Sequence, residues 1–198
     1  MQADTKKQIA DAIETHKKMV GRLEVTGAQK LIDAAEMIIQ SIKQGGTVYV
    51  CGNGGSAADA QHIAGELVGR FRRERGALPA MALSTDTSVI TAVANDYGYN
   101  RIFSRQVEAL VKSNDLLWTI STSGSSANVI AAAESAKQKG AKILAFTGRA
   151  DCELEKLADI CFCADAQTTA RSQEIHQLAY HIICDLVEAD FCESQPES

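Results

Sequence analysis

The sequence has 198 residues, of which 45% are hydrophobic and 23% charged, and its formal net charge is −5 at pH 7. A chain of this length and balance can bury a sizeable core, which excludes a disordered or fibrous protein. No apolar run reaches the roughly 20 residues of a membrane-spanning helix, and no basic stripe typical of nucleic-acid-binding proteins is present. We therefore expect neither a membrane nor a nucleic acid as a partner.

The cysteines and the N-terminus indicate a compartment. The six cysteines do not follow zinc-ribbon spacing, and several lie in apolar runs, where a free cysteine behaves as a small hydrophobic residue. The first residues lack the apolar segment of a secretory signal peptide. We expect a reduced, cytoplasmic protein.

The first 45 residues predict a pair of helices. Apolar residues recur at helical spacing over residues 4–24 and 28–43, and Gly27 is expected to interrupt the pattern between them. Two helices before the first strand are more than a single sheet needs. The pair either covers one face of the sheet or packs against another subunit, and the sequence leaves both interpretations open.

The remainder of the chain alternates strands and helices. Strands are predicted at residues 47–51, 80–83, 116–120, 143–147 and 160–163. Helices are predicted to end near residue 70, to cover 88–94 and 102–111, to run to 139, and to cover 154–158 and 169–191. The alternation predicts a single α/β domain over residues 1–198. We expect a doubly wound, five-stranded parallel sheet of order 2-1-3-4-5, with two leading helices and a long C-terminal helix.

A glycine-rich loop follows the first predicted strand. Its sequence, Gly52-Asn53-Gly54-Gly55-Ser56, allows the backbone to approach a ligand closely. The G-x-G-x-x-G spacing of dinucleotide-binding loops is not met, because Ala57 stands at the last required position. The loop therefore indicates a ligand but not a dinucleotide.

A loop rich in hydroxyl groups, residues 121–126, follows the third predicted strand and precedes a helix. Backbone N–H groups and hydroxyls at such a junction can hold a phosphomonoester, although the loop can also be an ordinary serine-rich turn that caps a helix. No lysine lies in it, so it is not a Walker-type loop. In a sheet of order 2-1-3-4-5 the loops after strands one and three flank one crevice, which favours the phosphate interpretation.

Two predicted helices carry imidazole and carboxylate groups at helical spacing. His62 and Glu66 are four residues apart, and Gln173 and His181 lie two turns apart on the last helix. Two imidazoles and a carboxylate can form a divalent-metal site, although glutamine is an unusual ligand. The alternative is that these polar groups are satisfied at helix or subunit contacts, and the spacing alone favours that alternative.

Together these motifs resemble the phosphoheptose isomerase branch of the sugar isomerase (SIS) domain family. The resemblance covers nearly the whole chain, including the two leading helices. The motifs that carry it are Cys51-Gly52-Asn53-Gly54-Gly55-Ser56, His62 with Glu66-Leu67-Val68-Gly69-Arg70-Phe71, Asn95-Asp96, Ser121-Thr122-Ser123-Gly124, and Gln173-Glu174-Ile175-His176 with His181.

The resemblance implies an aldose–ketose isomerase that converts sedoheptulose 7-phosphate to D-glycero-D-manno-heptose 7-phosphate. This would be the first step towards ADP-heptose for the lipopolysaccharide core. Proton transfer through an enediol would use Glu66 as base and His181 as its acid/base partner. The family also implies a homotetramer with one zinc ion per subunit.

The resemblance also implies roles for individual residues. The zinc ligands would be His62, Glu66, Gln173 and His181, with Gln173 also contacting substrate. The phosphate would be held by Ser121, Thr122, Ser123 and Ser126. The sugar would be lined by Asn53, Gly54, Gly55 and Ser56, with Asn95 and Asp96 nearby.

Two other classes of SIS protein remain as alternatives. One is a non-enzymatic partner of the bacterial replication initiator, which lacks a glutamate at the position of Glu66. The other is a sugar-phosphate-sensing regulator, in which the SIS domain accompanies a DNA-binding domain for which 198 residues leave no room. The presence of Glu66 together with His181 favours the enzyme.

Overall fold

The computed structural model describes residues 2–193, and the predicted domain 1–198 extends beyond this range at both ends. The strands are β1 (Val48–Gly52), β2 (Ala80–Ala82), β3 (Leu116–Ser121), β4 (Lys142–Thr147) and β5 (Ile160–Cys163). The helices are α1 (Gln2–Arg22), α2 (Ala28–Lys43), α3 (Gly55–Val68), α4 (Thr87–Tyr97), α5 (Ser104–Leu110), α6 (Ala127–Gln138), α7 (Glu153–Leu157) and α8 (Thr169–Glu193).

The described strands form one parallel sheet in the order β2-β1-β3-β4-β5, which confirms the predicted topology. Neighbouring residues along each strand face opposite sides of the sheet, so the sheet contributes to two cores. Val50 and Trp118 belong to the core beneath α2, α3 and α8, whereas Tyr49 and Leu117 belong to the core beneath α5 and α6. Every residue of β1 and β3 is buried, as expected for central strands covered on both faces.

The two leading helices are joined without a break in helical structure. A single π-helical turn, Leu23–Gly27, connects α1 to α2, so the α-helical pattern is interrupted up to Gly27 and α2 begins at Ala28 as expected, but the chain stays helical throughout. A β-carbon at residue 27 would approach the Leu23 side chain to 2.6 Å, which explains why a glycine is accommodated inside this turn. The turn adds one residue to the helical repeat and thereby rotates the apolar stripe of α2 relative to that of α1.

The helical pair has one buried and one exposed apolar face. Leu31 and Ile38 of α2 are buried in the first core, and α2 packs against α8. Ile9 and Ile13 of α1 remain 56% and 51% exposed. Helix α2 thus covers part of one face of the sheet, and the predicted place of the pair as a whole, on the sheet or at a subunit contact, stays a prediction.

Helix α4 is longer than the sequence indicated. It was expected to end before Asn95, but Asn95 and Asp96 form its last turn, and the chain leaves the helix at Gly98, where φ is +85°. A positive φ suits glycine, whereas asparagine and aspartate are tolerated in a solvent-exposed final turn. At the other end, Asp86 accepts a hydrogen bond from the backbone N–H of Val89 at 3.0 Å and caps the helix.

Within residues 2–193, no helix combines the length and apolar character required to cross a lipid bilayer.

Candidate active site at the carboxyl edge of the sheet

The glycine-rich loop and the hydroxyl-rich loop lie side by side at the carboxyl ends of β1 and β3. These strands are neighbours, and the connections to β2 and β4 leave on opposite sides, so a crevice opens between the two loops. The chain turns at Gly54 with φ +57° and ψ −122°, a conformation that a side chain would strain, and α3 begins at the next residue.

A pair of amides joins the two loops across this crevice. Asn53 Nδ2 donates to Asn128 Oδ1 at 2.8 Å, and Asn128 Nδ2 donates to Asn53 Oδ1 at 2.8 Å. The Tyr99 hydroxyl also donates to Asn53 Oδ1, at 3.1 Å. The Asn53 side chain therefore ties the glycine-rich loop to the first turn of α6, and its predicted contact with the sugar remains a prediction. Asn128 and Tyr99 were not identified from the sequence.

The hydroxyl-rich loop gathers its side chains into one cluster. The Ser121 hydroxyl lies 3.0 Å from that of Ser126 and 3.3 Å from that of Ser123. Ser126 precedes α6, yet its side chain makes no capping hydrogen bond. The positive end of α6 and the hydroxyl groups are thus directed at the same crevice, an arrangement suited to an anion.

A polar cavity of about 220 Å³ continues from this loop. Its lining includes the predicted residues Thr122 and Ser123, and also Arg149, Thr168 and Ser172, which the sequence did not single out for ligand binding. Arg149 supplies a positive charge that the predicted phosphate loop itself lacks. A wider groove of about 850 Å³ lies along α1, but its lining contains no imidazole, thiol or glutamate, so we locate the chemistry at the crevice.

His62, Glu66 and His181 converge at one point. The Nε2 atom of His62 lies 2.9 Å from Glu66 Oε1 and 3.4 Å from His181 Nε2, and ligand atoms from all three residues lie within 4.8 Å of one another. Helix α3 contributes the first two residues and α8 the third. The aromatic ring of Phe71 stacks on the His181 ring with a centroid distance of 5.5 Å.

This cluster has the donor set of a divalent-metal site. Two imidazole nitrogens face each other across 3.4 Å, a separation that either an N–H···N hydrogen bond or a shared cation can bridge. A cation between them, shared with a carboxylate oxygen, would satisfy all three groups, and nitrogen and oxygen donors of this kind suit zinc. The residues therefore fit the metal that the sequence predicted.

Gln173 contacts the glycine-rich loop at the start of α3. It lies two turns before His181 on α8, and its side-chain amide covers Gly55, where a β-carbon would collide with it. Gln173 thus borders the glycine-rich loop, and its role as a zinc ligand remains a prediction. Ser56, by contrast, is 97% buried at the start of α3, with 3% of its surface exposed.

Burial and neighbouring charge shift two pKa values beside the cluster. The pKa of His181 is lowered, mainly by burial and to a smaller extent by the nearby His62. The Glu66 carboxylate acts in the opposite direction and raises it. Burial raises the pKa of Asp59 to about 6, while His62 and the Tyr180 hydroxyl act in the other direction. These shifts favour the neutral imidazole of His181, the form that can accept a proton.

Asn95 and Asp96 lie at the periphery. Both are exposed in the last turn of α4, and Asn95 Nδ2 donates to Asp96 Oδ1 at 2.8 Å. The turn that follows carries Tyr99, which contacts Asn53. Their predicted place near the sugar remains a prediction.

A buried ion pair fixes the segment that follows α3, which we call the strap (residues 69–76). Glu188 of α8 accepts hydrogen bonds from the backbone N–H groups of Phe71, Arg72 and Arg73 at 2.7, 2.7 and 2.8 Å. Arg75 lies 3.7 Å from Glu188, and both side chains are only 1% exposed. The strap thereby presents Phe71 to His181.

Arg75 also connects the strap to α3, the helix that carries His62 and Glu66. Its guanidinium donates to the backbone oxygen of Glu66 at 2.7 Å and to that of Gly69 at 2.9 Å. The last carbonyl groups of a helix have no N–H partner from a following turn, and the Arg75 guanidinium supplies donors to those at the end of α3. The sequence indicated a helix to about residue 70, but α3 ends at Val68, and the non-helical strap begins at the next residue.

Comparison with known proteins agrees with this geometry. The SIS domain family profile matches residues 13–148. A phosphoheptose isomerase from a Roseiflexus species is 48% identical over 180 residues, or 91% of each chain. Phosphoheptose isomerase structures from Neisseria gonorrhoeae and Francisella tularensis have TM-scores of 0.88 and 0.90, with 38% and 34% identity, and cover 93% of this chain and 99% and 98% of theirs. The chain therefore belongs to the SIS domain family and, within it, to the phosphoheptose isomerases.

Proposed function

We propose that this chain, acting as one SIS domain, converts sedoheptulose 7-phosphate to D-glycero-D-manno-heptose 7-phosphate. The observation that carries the proposal is the convergence of Glu66 and His181, from two different helices, beside a crevice lined with hydroxyl groups. The relatives named phosphoheptose isomerase support the same substrate. We further propose that the reaction takes place in the cytoplasm and supplies heptose for the lipopolysaccharide core.

Helix α8 borders both the polar cavity proposed for the phosphate and the cluster proposed for the reacting carbons. Ser172 borders the phosphate cavity, and His181 belongs to the cluster nine residues later. At 1.5 Å per residue this separation is about 13 Å along the helix axis. That length is comparable to an extended seven-carbon sugar phosphate. The phosphate would then lie at the hydroxyl-rich loop and the reacting carbons at the cluster.

The reaction moves one proton between carbons and one between oxygens. Glu66 takes a proton from C1 of the ketose, and the C1–H electron pair forms the C1–C2 double bond of an enediol. The same carboxyl group then returns the proton to C2. For His181 to carry the proton that O1 loses to O2, its Nε2 lone pair must be free of the metal ion at that step. The products are the C1 aldehyde and the C2 hydroxyl of the aldose.

A metal ion held by His62, Glu66, His181 and, in our proposal, Gln173 would act as a Lewis acid on the substrate oxygens. A carboxylate has two oxygens, so Glu66 can contribute Oε1 to this cluster and use the other oxygen as the base. His62 aligns that carboxylate through its 2.9 Å contact with Oε1.

The non-catalytic alternative lacks the glutamate on which the chemistry depends. Here Glu66 is present, and 20% of its side chain is exposed, enough to meet a ligand in the crevice. The convergence of Glu66 with His181 supports catalysis over a purely structural role in binding another protein.

We also propose a homotetramer. Exposed apolar side chains on α2 and α8, including Ile32, Ile182 and Leu186, border a groove of about 410 Å³ with an almost wholly apolar lining. Apolar surfaces of this kind are typical of contacts between subunits.

The test of the proposed function is a direct assay. Purified protein incubated with sedoheptulose 7-phosphate should produce an aldose phosphate, followed by proton NMR in deuterated water, where deuterium should enter at C2. Treatment with a chelator should reduce the rate, and Zn²⁺ should restore it. Absence of conversion by the Zn²⁺-loaded protein would refute the proposal.

The hydroxyl-rich loop gives a prediction for substrate affinity. We expect Ser126→Ala to raise KM about 10-fold to 100-fold, because a hydrogen bond to a charged group contributes about 1.5–3 kcal/mol. The kcat should change little, since the phosphate is remote from the reacting carbons. Steady-state kinetics measure both constants.

The matched control is Ser135→Ala on the same helix, where the hydroxyl donates to the backbone oxygen of Ala131 at 2.9 Å. This substitution should leave KM unchanged. An equal effect of the two substitutions on KM would show that Ser126 acts only through the stability of α6.

A further inference from the structure

Tyr180 holds the side of His62 that faces away from the metal-binding cluster. Its hydroxyl oxygen lies 2.9 Å from His62 Nδ1, and the two rings meet edge to face with centroids 5.4 Å apart. Tyr180 is only 1% exposed. Because α8 also carries His181 at the next position, one turn of this helix contacts His62 on both of its ring nitrogens.

The protons of this arrangement can be counted. A neutral imidazole carries one N–H, and a cation at Nε2 requires a lone pair there, so the proton must be on Nδ1. The Nδ1–H of His62 then donates to the Tyr180 oxygen. The tyrosine O–H is left over and needs an acceptor of its own, since a buried hydroxyl is costly when it is unpaired.

Asp59 is placed to be that acceptor. It lies three residues before His62 on α3, and hence on the same side of the helix. Its carboxylate interacts with the Tyr180 hydroxyl, and its Oδ2 atom is buried without a hydrogen-bond partner among the described residues. A proton donated by Tyr180 would satisfy this oxygen.

We propose that Tyr180 is a positioning residue that sets the tautomer and the orientation of His62 for metal binding, with Asp59 accepting the tyrosine proton. The inference rests on the proposed metal site and extends it by two residues. Groups that hold the second nitrogen of a metal-bound histidine typically change metal affinity by about 10-fold to 100-fold.

The test measures metal affinity in the absence of substrate. Metal-free wild-type protein and Tyr180→Phe are titrated with Zn²⁺ in competition with a chromophoric chelator. We expect Tyr180→Phe to bind Zn²⁺ about 10-fold to 100-fold more weakly. The metal-free variant should remain folded because the ring is retained, with a lower melting temperature because Asp59 loses the donated proton. Equal Zn²⁺ affinities would overturn the proposal.

Two further variants sharpen the result. Tyr49→Phe removes a hydroxyl that lies 3.5 Å from the Leu110 backbone oxygen in the other core, and should leave Zn²⁺ affinity unchanged. Asp59→Asn should bind Zn²⁺ with an affinity between those of the wild type and Tyr180→Phe, because an amide oxygen accepts the tyrosine proton less strongly. A wild-type affinity in Asp59→Asn would overturn the assignment of Asp59.

The metal site and its positioning residue can fail separately. If the wild-type protein binds no Zn²⁺, the metal part of the proposed function fails. If the wild-type protein binds Zn²⁺ and Tyr180→Phe binds it equally well, only the role of Tyr180 fails.

Discussion

Replacing Glu66 with glutamine should abolish isomerisation and leave the protein folded. The amide has nearly the same shape as the carboxylate but cannot take a proton from carbon at neutral pH. A positioned general base contributes up to about 10⁴-fold, so kcat should fall by about that factor. The assay is the conversion of sedoheptulose 7-phosphate, and light scattering should give the mass of four 21.2 kDa chains for both proteins.

The matched control for this substitution is Glu74→Gln in the strap. The Glu74 side chain is 91% exposed and its nearest cation, Arg70, is 3.9 Å away. This change removes the same charge a short distance from the site and should leave kcat within about twofold of the wild type. Full activity in Glu66→Gln would remove Glu66 as the base, whereas a loss of the tetramer would assign it a structural role.

Replacing Glu188 with alanine should cause a large loss of stability. The change leaves the 1% exposed Arg75 guanidinium without its counter-charge and three backbone N–H groups of the strap without an acceptor. Breaking a buried ion pair by removing one partner costs about 3–5 kcal/mol. Urea unfolding at fixed protein concentration measures the difference, with Glu74→Ala as an exposed control that should shift the free energy of unfolding by less than about 0.5 kcal/mol.

The contribution of Glu188 should also depend on pH. Burial alone raises the pKa of Glu188, but the N–H groups of Arg72, Arg73 and Phe71, together with the Arg75 charge, outweigh burial and lower it. The group therefore adds stability that is complete above its unfolded pKa of about 4.3 and is lost as the pH falls through the lower folded value. The stability gap between wild type and Glu188→Gln should narrow in that acidic range. A gap that stays constant down to pH 2 would contradict this account.

Much of the architecture could be predicted because the signals are local and repeated. Buried strands such as β1 and β3 are recognisable in the sequence as short apolar runs. Their alternation with helices predicts a doubly wound parallel sheet, for which 2-1-3-4-5 is the order we expected. The convergence of His62 with Glu66 follows from helical spacing. Their meeting with His181 does not, because it depends on how α8 crosses α3; that relation came from the family resemblance.

The supporting residues of the site could not be predicted in the same way. Tyr180 and Phe71 look like ordinary core residues in the sequence. Only the fold shows that Tyr180 contacts His62 and that Phe71 contacts His181. Asn128 follows the hydroxyl-rich loop and reads as an early helix residue, whereas its partner Asn53 is 75 residues away. The end of α4 was missed because the tolerance of an exposed final turn for asparagine outweighs its usual role in ending helices.

The two amide hydrogen bonds between Asn53 and Asn128 hold the two sides of the crevice together in the free protein. The loops cannot part to admit a ligand without breaking both bonds at once. Tyr99, which is 57% exposed, adds one more hydrogen bond to Asn53, of 3.1 Å. The width of the crevice is accordingly a property of the free protein, so an entering sugar does not have to order these two sides.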